Sequence, residues 1–550
     1  MKGYLSKMQV LQEVIQQIES NVTVTWNGDK AYASTEDSRL DLFFKGLVRN
    51  SRIQEPGTKL RTRAGRGHGQ HSYAFVQSQP NTELYRMVQE SWSISPEHTL
   101  QLILHARDCR GGKGEKFVSL DAMFWLRKNK PMTYLLNLDK LISVGCYKDL
   151  LKLATWSKPA MKEGTNQLLQ RDNIPIELWY LAEIIKDDHA RVVEFETLPA
   201  PDREKQKSPN GLTLAAKWAP SENKKYDELA VAMATILFGN HPQKLKLYRN
   251  FINKIRGYNN IVERQMCSNE WNDIHFESVP SKAHLLLKNT FKKHCPEYEI
   301  YLENVKQQKT TIKTGTLHPH EIVDCYYDTH ELDQTVENMW VDMRSKFDTE
   351  LFKDAIAVSD VSGSMTCNKC IPMKVSIALG LLIAELAGHQ RVITFDSHPA
   401  LIQLNETHTT FQKYQQIRHA PWGGSTNLVG TFELVLRAFT NQNRPKTIFI
   451  FSDMQFNSAV GRSDYSSYER IKQMYQAQNA VLPQIIFWNL NGSISGCPVT
   501  KDERGTFIIS GYSAQLMKEI LQGNLQVKTS LDMMLECIGK YDVSVHPSER

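Results

Sequence analysis

Before about residue 350, apolar positions recur mostly at helical spacing. Leu100–Ala106 and Phe117–Leu126 place them three and four residues apart, as one buried helix face requires. Pro131–Leu141 and Asp149–Trp156 read as short helical runs interrupted at Gly145. Ile174–Ile185, Tyr226–Phe238, Lys244–Ile255 and Ser281–His294 follow. Strand-like alternation is scarce, with Thr23–Trp26 a weak instance. The run KTGTLHPHEIV at 313–323 reads as a loop leading into another helix. Many short helices with little strand predict stacked helix pairs, a HEAT-like solenoid without a fixed sequence period. Two stretches break the pattern and read as flexible or ligand-ordered loops: the Gly- and Arg-rich 51–71 and the Pro- and charge-rich 198–211.

After about residue 350 the texture changes. Ala355–Asp360, Arg391–Phe395, Leu401–Leu404, Thr447–Ser452, Gln484–Asn489 and Gly505–Ser510 read as strands. Met373–His389, Phe432–Thr440, Tyr465–Asn479, Ser513–Gln522 and Leu531–Ile538 read as helices. Strands alternating with helices predict a doubly wound, Rossmann-like α/β sheet. The expected organisation is a helical-repeat domain over 1–345 followed by an α/β domain over 350–550. In such sheets ligands sit at the carboxyl ends of the strands.

Composition narrows the class. The chain has 550 residues, 41% hydrophobic and 23% charged, an ordinary globular mixture. No apolar run reaches the roughly 18 residues of a membrane span. Val375–Ala387 comes nearest and carries Glu385. The first twenty residues are amphipathic and have no unbroken apolar core, so no signal peptide and no membrane partner are expected. Nine scattered cysteines then point to reduced thiols in a cytoplasmic compartment. The close pair Cys367 and Cys370 lacks a second pair at zinc-site spacing. Net charge is +6, with no strong imbalance on either side of residue 350, so any polyanion footprint must be local.

The candidate chemistry follows three strand-end or loop segments: Asp360-Val361-Ser362-Gly363-Ser364, Gly423-Gly424-Ser425-Thr426-Asn427 and Phe451-Ser452-Asp453. Alternation lets Asp360, Ser362 and Ser364 point to one side of a loop. Carboxylate and hydroxyl oxygens there suit a hard divalent cation, Mg2+ or Mn2+. Thr426 adds a hydroxyl and Asp453 a second carboxylate, directly or through water. So few charged ligands leave the ion under-neutralised and open to an acidic group from a partner. The competing reading of Asp360 and its serines is a turn in which they cap backbone N–H groups.

In order and spacing these segments resemble the metal-ion-dependent adhesion site of von Willebrand factor A domains, over roughly residues 350–540. The resemblance implies a metal held by Asp360, Ser362, Ser364, Thr426 and Asp453. A helical part followed by an A domain also resembles, in architecture, the Ro ribonucleoprotein (TROVE plus A domain). That likeness implies single-stranded or structured RNA as a partner, by analogy of fold alone. A resemblance running nearly end to end is to a domain-of-unknown-function group of plants, fungi and large DNA viruses. It rests on Arg107-Asp108-x-Arg110-Gly111-Gly112-Lys113-Gly114-Glu115, Gly145-Cys146-Tyr147-Lys148-Asp149-Leu150-Leu151 and Lys217-Trp218-x-Pro220-Ser221-Glu222. It continues through Val262-Glu263-Arg264-x-Met266-Cys267-Ser268, Pro280-Ser281-Lys282-Ala283 and Pro319-His320-Glu321-Ile322-Val323. For a viral member it implies the virion or host cytoplasm.

Other features have plainer readings beside the sharper ones. Arg107–Glu115 lacks phosphate-loop spacing and reads as a turn between helices. Lys59, Arg61, Arg63 and Arg66, with His68 and His71, lie in a stretch free of Asp and Glu from Pro56 to Pro80. They read either as a solvated loop or as a phosphate-binding segment. Lys244, Lys246, Arg249, Lys254 and Arg256, with Arg264, form a second basic cluster, again either a solvated face or a backbone track. Phe251 within it belongs to an apolar stripe and is expected in the core. His294, Cys295, His318 and His320 fit no zinc spacing and are expected in packing roles. The expected function is a non-enzymatic binding protein that grips an acidic protein group through its metal and holds RNA or protein on its helical part. The rivals are a protein-binding scaffold without nucleic acid, akin to A domains that work beside AAA-type ATPases, and a metal-dependent hydrolase. The hydrolase is disfavoured because no positioned base or nucleophile accompanies the ligands.

Overall fold

The computed structural model describes residues 21–25, 27–49, 59–61, 73–75, 81–162, 170–259, 261–329, 331–395, 398–420, 426–456, 466–492, 496–522 and 528–550. Three antiparallel hairpins pair β1 (Val22–Val24) with β2 (Lys30–Tyr32), β3 (Lys59–Arg61) with β4 (Tyr73–Phe75), and β5 (Gln170–Arg171) with β6 (Ile174–Pro175). The large sheet comprises β7 (Ala355–Asp360), β8 (Arg391–Phe395), β9 (Ala400–Gln403), β10 (Thr447–Ser452), β11 (Gln484–Asn489) and β12 (Thr506–Ser510). Its order is β12-β11-β10-β7-β8-β9, parallel except for β9.

The sequence explains this sheet. β7, β10 and β12 are buried at every position, as parallel strands covered on both faces must be. The chain starts in the middle at β7 and runs out through β8 to β9. It then crosses back over β7 to β10 and runs out the other way. The reversal between β7 and β10 opens a crevice at their carboxyl ends, where such sheets bind ligands. Helix Cys367–Leu386 lies close on β7, with Ser359 Oγ donating to the Ser376 carbonyl at 3.0 Å. A methyl group at Gly380 would run into Ser359 Oγ, so glycine permits this approach. The later helices start where side chains cap them. Asn427 accepts from Gly430 N, and Ser466 with Glu469 and Thr529 with Asp532 form capping boxes.

The described residues divide into two compact units that are not contiguous in sequence. The first comprises those of 1–122, 280–288 and 299–543, and the second those of 123–279, 289–298 and 544–550. Within the first, the N-terminal segment bonds to the ends of β11 and β12. Tyr32 bridges to Cys497, and Phe43 and Phe44 carbonyls accept from Ser510 Oγ at 2.9 Å and Asn489 Nδ2 at 3.2 Å. Within the second, helices Lys148–Lys162, Ile176–Thr197, Asp227–Phe238 and Lys244–Tyr258 pack in succession. A fully buried ion pair, Arg127 Nε to Glu177 Oε1 at 2.7 Å, also accepts the Tyr134 hydroxyl at 2.6 Å. Glu549 receives Met132 N at 3.0 Å and Thr133 N at 2.7 Å, closing the amino end of helix Pro131–Leu136.

A helical first part followed by a mixed, mainly parallel sheet with flanking helices is what the apolar spacing predicts. Several boundaries differ. Ile174 and Pro175 form a strand, and the helix starts at Ile176. The run at 131–141 is two helices separated at Asn137. The loop expected at 198–211 contains helix Ala200–Gln206, which buries no residue and so left no apolar signature. Trp26, the end of the weak strand, lies outside the described residues.

Candidate metal centre

β7 ends at Asp360, whose carboxylate is held on both oxygens. Oδ1 accepts Ser362 N at 2.9 Å, and Oδ2 accepts Ser452 Oγ from the neighbouring β10 at 2.6 Å. Ser362 Oγ lies 3.1 Å from Ser364 Oγ. The Ser364 side chain in turn hydrogen-bonds Asp453. Asp453, just past β10, accepts Gln455 N at 3.3 Å, and Thr426 Oγ1 donates to the Gln455 carbonyl at 2.5 Å. One continuous chain of contacts thus joins Asp360, Ser362, Ser364, Asp453, Gln455 and Thr426. Asp360, Ser362, Thr426 and Asp453 are buried, while Ser364 is exposed and marks the mouth. Met454, next to Asp453, holds a φ of 61°, a left-handed conformation that costs a non-glycine residue about 1 kcal/mol or more. Gly423, Gly424 and Ser425 lie outside the described residues.

The electrostatics are those of two buried carboxyl groups brought close together. Burial first, and the Asp453 carboxylate second, push the Asp360 carboxyl up to about 7. Burial also raises Asp453, against the hydrogen bonds from Ser364 and Gln455 N. Two carboxylates and three hydroxyls form an all-oxygen donor set that fits Mg2+ or Mn2+ and not a thiolate-seeking metal. Among the described residues, no group of three or more His, Cys, Asp or Glu gathers to hold a metal. His318 and His320 instead stack on each other at 5.7 Å, His294 stacks on Trp271 at 4.7 Å, and Cys295 is buried. Arg107–Glu115 is the turn between helices Pro96–Arg107 and Lys116–Asn129.

The basic residues fare unevenly. Lys59 and Arg61 lie on β3, opposite Phe75 and Tyr73, while Arg63 and Arg66 fall outside the described residues. On helix Lys244–Tyr258 most of the charge has internal partners. Lys254 pairs with Glu196 at 2.6 Å, Arg249 with Glu222 at 3.3 Å, and Lys244 Nζ donates to Thr235 Oγ1 at 2.9 Å. Arg256 is a clamp rather than a surface charge. It donates to the carbonyls of Ala216 at 2.8 Å and Ala219 at 2.9 Å, and burial lowers its pKa. Lys246 is exposed. Phe251 stacks on His189 at 4.0 Å and meets Phe238 edge-on.

Sequence reasoning missed two groups. Lys113 is fully buried and donates to the Phe43 carbonyl and to Ser510 Oγ at 2.7 Å, and burial pushes its amine down to about 7. Beside it, Arg49 Nε meets Glu115 at 2.9 Å and its guanidinium lies 4.8 Å from the Tyr512 ring centre. The signal present was a lysine and a glutamate two apart in a glycine-rich turn, charges such a turn does not itself require. The second group is the turn between β1 and β2. There Thr25 Oγ1 donates to the Phe456 carbonyl and Asn27 Nδ2 to the Gln455 carbonyl, both at 2.6 Å.

Comparison with known proteins places the chain. Residues 71–174 and 182–351 match a family described as a domain of unknown function (DUF2828), and residues 354–542 match another so described (DUF7788). An uncharacterized protein of Acanthamoeba polyphaga mimivirus is 29% identical over 548 residues, covering 95% of this chain and 88% of that protein. The crystal structure of the Deinococcus radiodurans Ro (RSR) protein aligns at 13% identity and a TM-score of 0.37, over 92% of this chain and 100% of that one. The chain is thus similar to two families of unknown function, to DUF2828 through most of its helical part and to DUF7788 over the large sheet.

Proposed function

We propose that the chain is a non-enzymatic binding protein. Asp360, Ser362, Ser364, Thr426 and Asp453 hold Mg2+ or Mn2+, and the bound ion grips an acidic group of a protein partner. The observation that carries this reading is the buried Asp360–Asp453 pair, with Asp360 held up at about 7 and linked to Asp453 through two serine hydroxyls. Paired buried carboxylates with no positional role in catalysis beside them call for a cation. The ion, when bound, supplies a Lewis-acidic attachment point. The residues set its place, and Ser364 at the mouth marks the side from which a carboxylate approaches. The partner chemistry follows from the donor set: five protein oxygens leave one position of a six-oxygen shell, and with only two carboxylates among them no surplus negative charge repels an anionic oxygen from it.

RNA is a second reading, supported by the acid-free stretch from Pro56 to Pro80. Helix Lys244–Tyr258 supports it less, because Lys254 and Arg256 are committed to internal partners. A reducing, cytoplasmic setting agrees with cysteines that form no disulfide, and no described helix is long and apolar enough to cross a membrane. The test is a melting titration with Mg2+ and Mn2+ to millimolar levels. The wild type should gain stability with metal by mass action, and an Asp360→Ala, Ser362→Ala double variant should not. Equal gains in both proteins would place the metal elsewhere and end this reading.

A further inference from the structure

We infer that the turn between β1 and β2, more than 300 residues before the sheet begins, is part of the metal centre as its positioning element. This rests on the proposed metal reading. The loop after β10 carries Asp453 and the two residues that follow Met454. Its Gln455 carbonyl accepts two hydrogen bonds, from Thr426 Oγ1 at 2.5 Å and from Asn27 Nδ2 at 2.6 Å. The next carbonyl, Phe456, accepts Thr25 Oγ1 at 2.6 Å. Thr25 is itself buried and fixed, since its Oγ1 accepts Asp29 N at 3.0 Å and its backbone N donates to the Asp29 carbonyl at 2.8 Å. Asp29 then ties the turn to the far side of the same loop by accepting Ser467 N at 3.3 Å.

The consequence reaches two metal ligands at once. Asp453 sits on a backbone that enters a left-handed conformation at Met454, a geometry that persists only when its surroundings hold it. The turn supplies two of those holds. Thr426 uses its proton on the Gln455 carbonyl, which sets the direction in which its oxygen faces. If that carbonyl drifts, the Thr426 oxygen turns with it. Asn27 therefore acts through Gln455 on both sides of the site while touching neither ligand. β1 and β2 form a two-stranded sheet of their own and bridge at Tyr32 to Cys497, which anchors the turn.

The test uses the full chain and Asn27→Ala. Asn27 is exposed, so metal-free melting should stay within about 1 °C of the wild type, in keeping with surface substitutions. The Mg2+ concentration for half of the melting gain should rise three- to tenfold, the span of one lost hydrogen bond. Amide hydrogen exchange over 453–456, followed by mass spectrometry in chelator, should quicken. Asn27→Gln, which keeps an amide donor, should recover most of both effects. An unchanged Mg2+ midpoint in Asn27→Ala, with the wild type responding to metal, overturns the inference and leaves the metal reading intact. A wild type that ignores Mg2+ overturns the metal reading. In that case the exchange measurement still decides the turn's role: unchanged exchange over 453–456 overturns it, and quickened exchange upholds the turn as the clamp of that loop.

Discussion

Replacing Asp360 by asparagine should make the metal-free protein more stable at neutral pH, by a margin that shrinks to nothing toward pH 5. Asp360 is fully buried and its carboxyl is pushed from 3.8 up to about 7, by burial and then by Asp453. Its proton is thus held more tightly in the folded chain than in the unfolded one. Between pH 3.8 and about 7 the folded chain binds the extra proton, so metal-free stability falls as pH rises through that window and levels off above it. Above pH 7 the ionised group costs the fold about 4 kcal/mol. An amide of the same shape removes that cost. It keeps an acceptor for one of the two donors, Ser362 N and Ser452 Oγ, and loses the other bond at about 1–2 kcal/mol. The net gain at pH 8 is about 2 kcal/mol, a rise in melting temperature of roughly 2 °C. At pH 5 the ionisation cost has shrunk to the size of the lost bond, and the two proteins should melt together. Urea and thermal melts in chelator at pH 5, 6, 7 and 8 read this directly. With saturating Mg2+ the order at pH 8 should reverse, because only the wild type gains. An Asn variant that is less stable than wild type at pH 8 in chelator would refute the reasoning, as would a difference that does not narrow toward pH 5.

What the sequence makes legible follows from the range over which each signal acts. β7, β10 and β11 each carry a run of four apolar residues because both faces are covered, so a window of six residues suffices to find them. Asp360 and Asp453 are found from the ends of those strands, since the carboxyl edge of such a sheet is where a site lies. Helix Ser281–His294 begins and ends where its spacing says. Other features depend on partners far away in the chain. Lys113 reads as a turn residue because its burial is made by Phe43 and Ser510, and nothing in its neighbourhood says so. Arg256 reads as one of a row of surface charges, yet the carbonyls of Ala216 and Ala219 take its guanidinium. β1 and β2 have three residues each, too few for alternation to stand out, although they carry the turn that reaches Gln455. Helix Ala200–Gln206 forms without a buried face, so a search for apolar periodicity passes over it. The division at 345–350 follows a change in secondary-structure texture, whereas the compact units are drawn by contacts that reach from residues 21–49 to the sheet.

Two further predictions address packing and nucleic acid. Gly380→Ala should destabilise the fold by about 1–3 kcal/mol, because the new methyl meets Ser359 Oγ on β7. Adding Ser359→Ala should recover part of that loss, and urea midpoints showing two independent, additive effects would contradict the close approach. For RNA, the acid-free segment at 56–80 and the helix Lys244–Tyr258 make different demands. If phosphates bind the segment, each neutralised charge releases counterions, and log affinity for single strands should fall against log salt by about 0.7 per contact. Arg61→Ala, Arg63→Ala and Arg66→Ala together should then flatten that slope by about two and weaken binding across sequences. Lys254→Ala should change it little, because the ammonium is already paired with Glu196 at 2.6 Å and releases no phosphate counterion. Asp360→Ala should also leave RNA affinity intact, since Asp360 is buried and carries no cationic group for a phosphate. Filter-binding or fluorescence titrations between 50 and 200 mM salt, roughly the span over which such contacts separate, read all three. A wild type without salt-dependent affinity removes RNA from the account, and the acidic protein partner then stands alone.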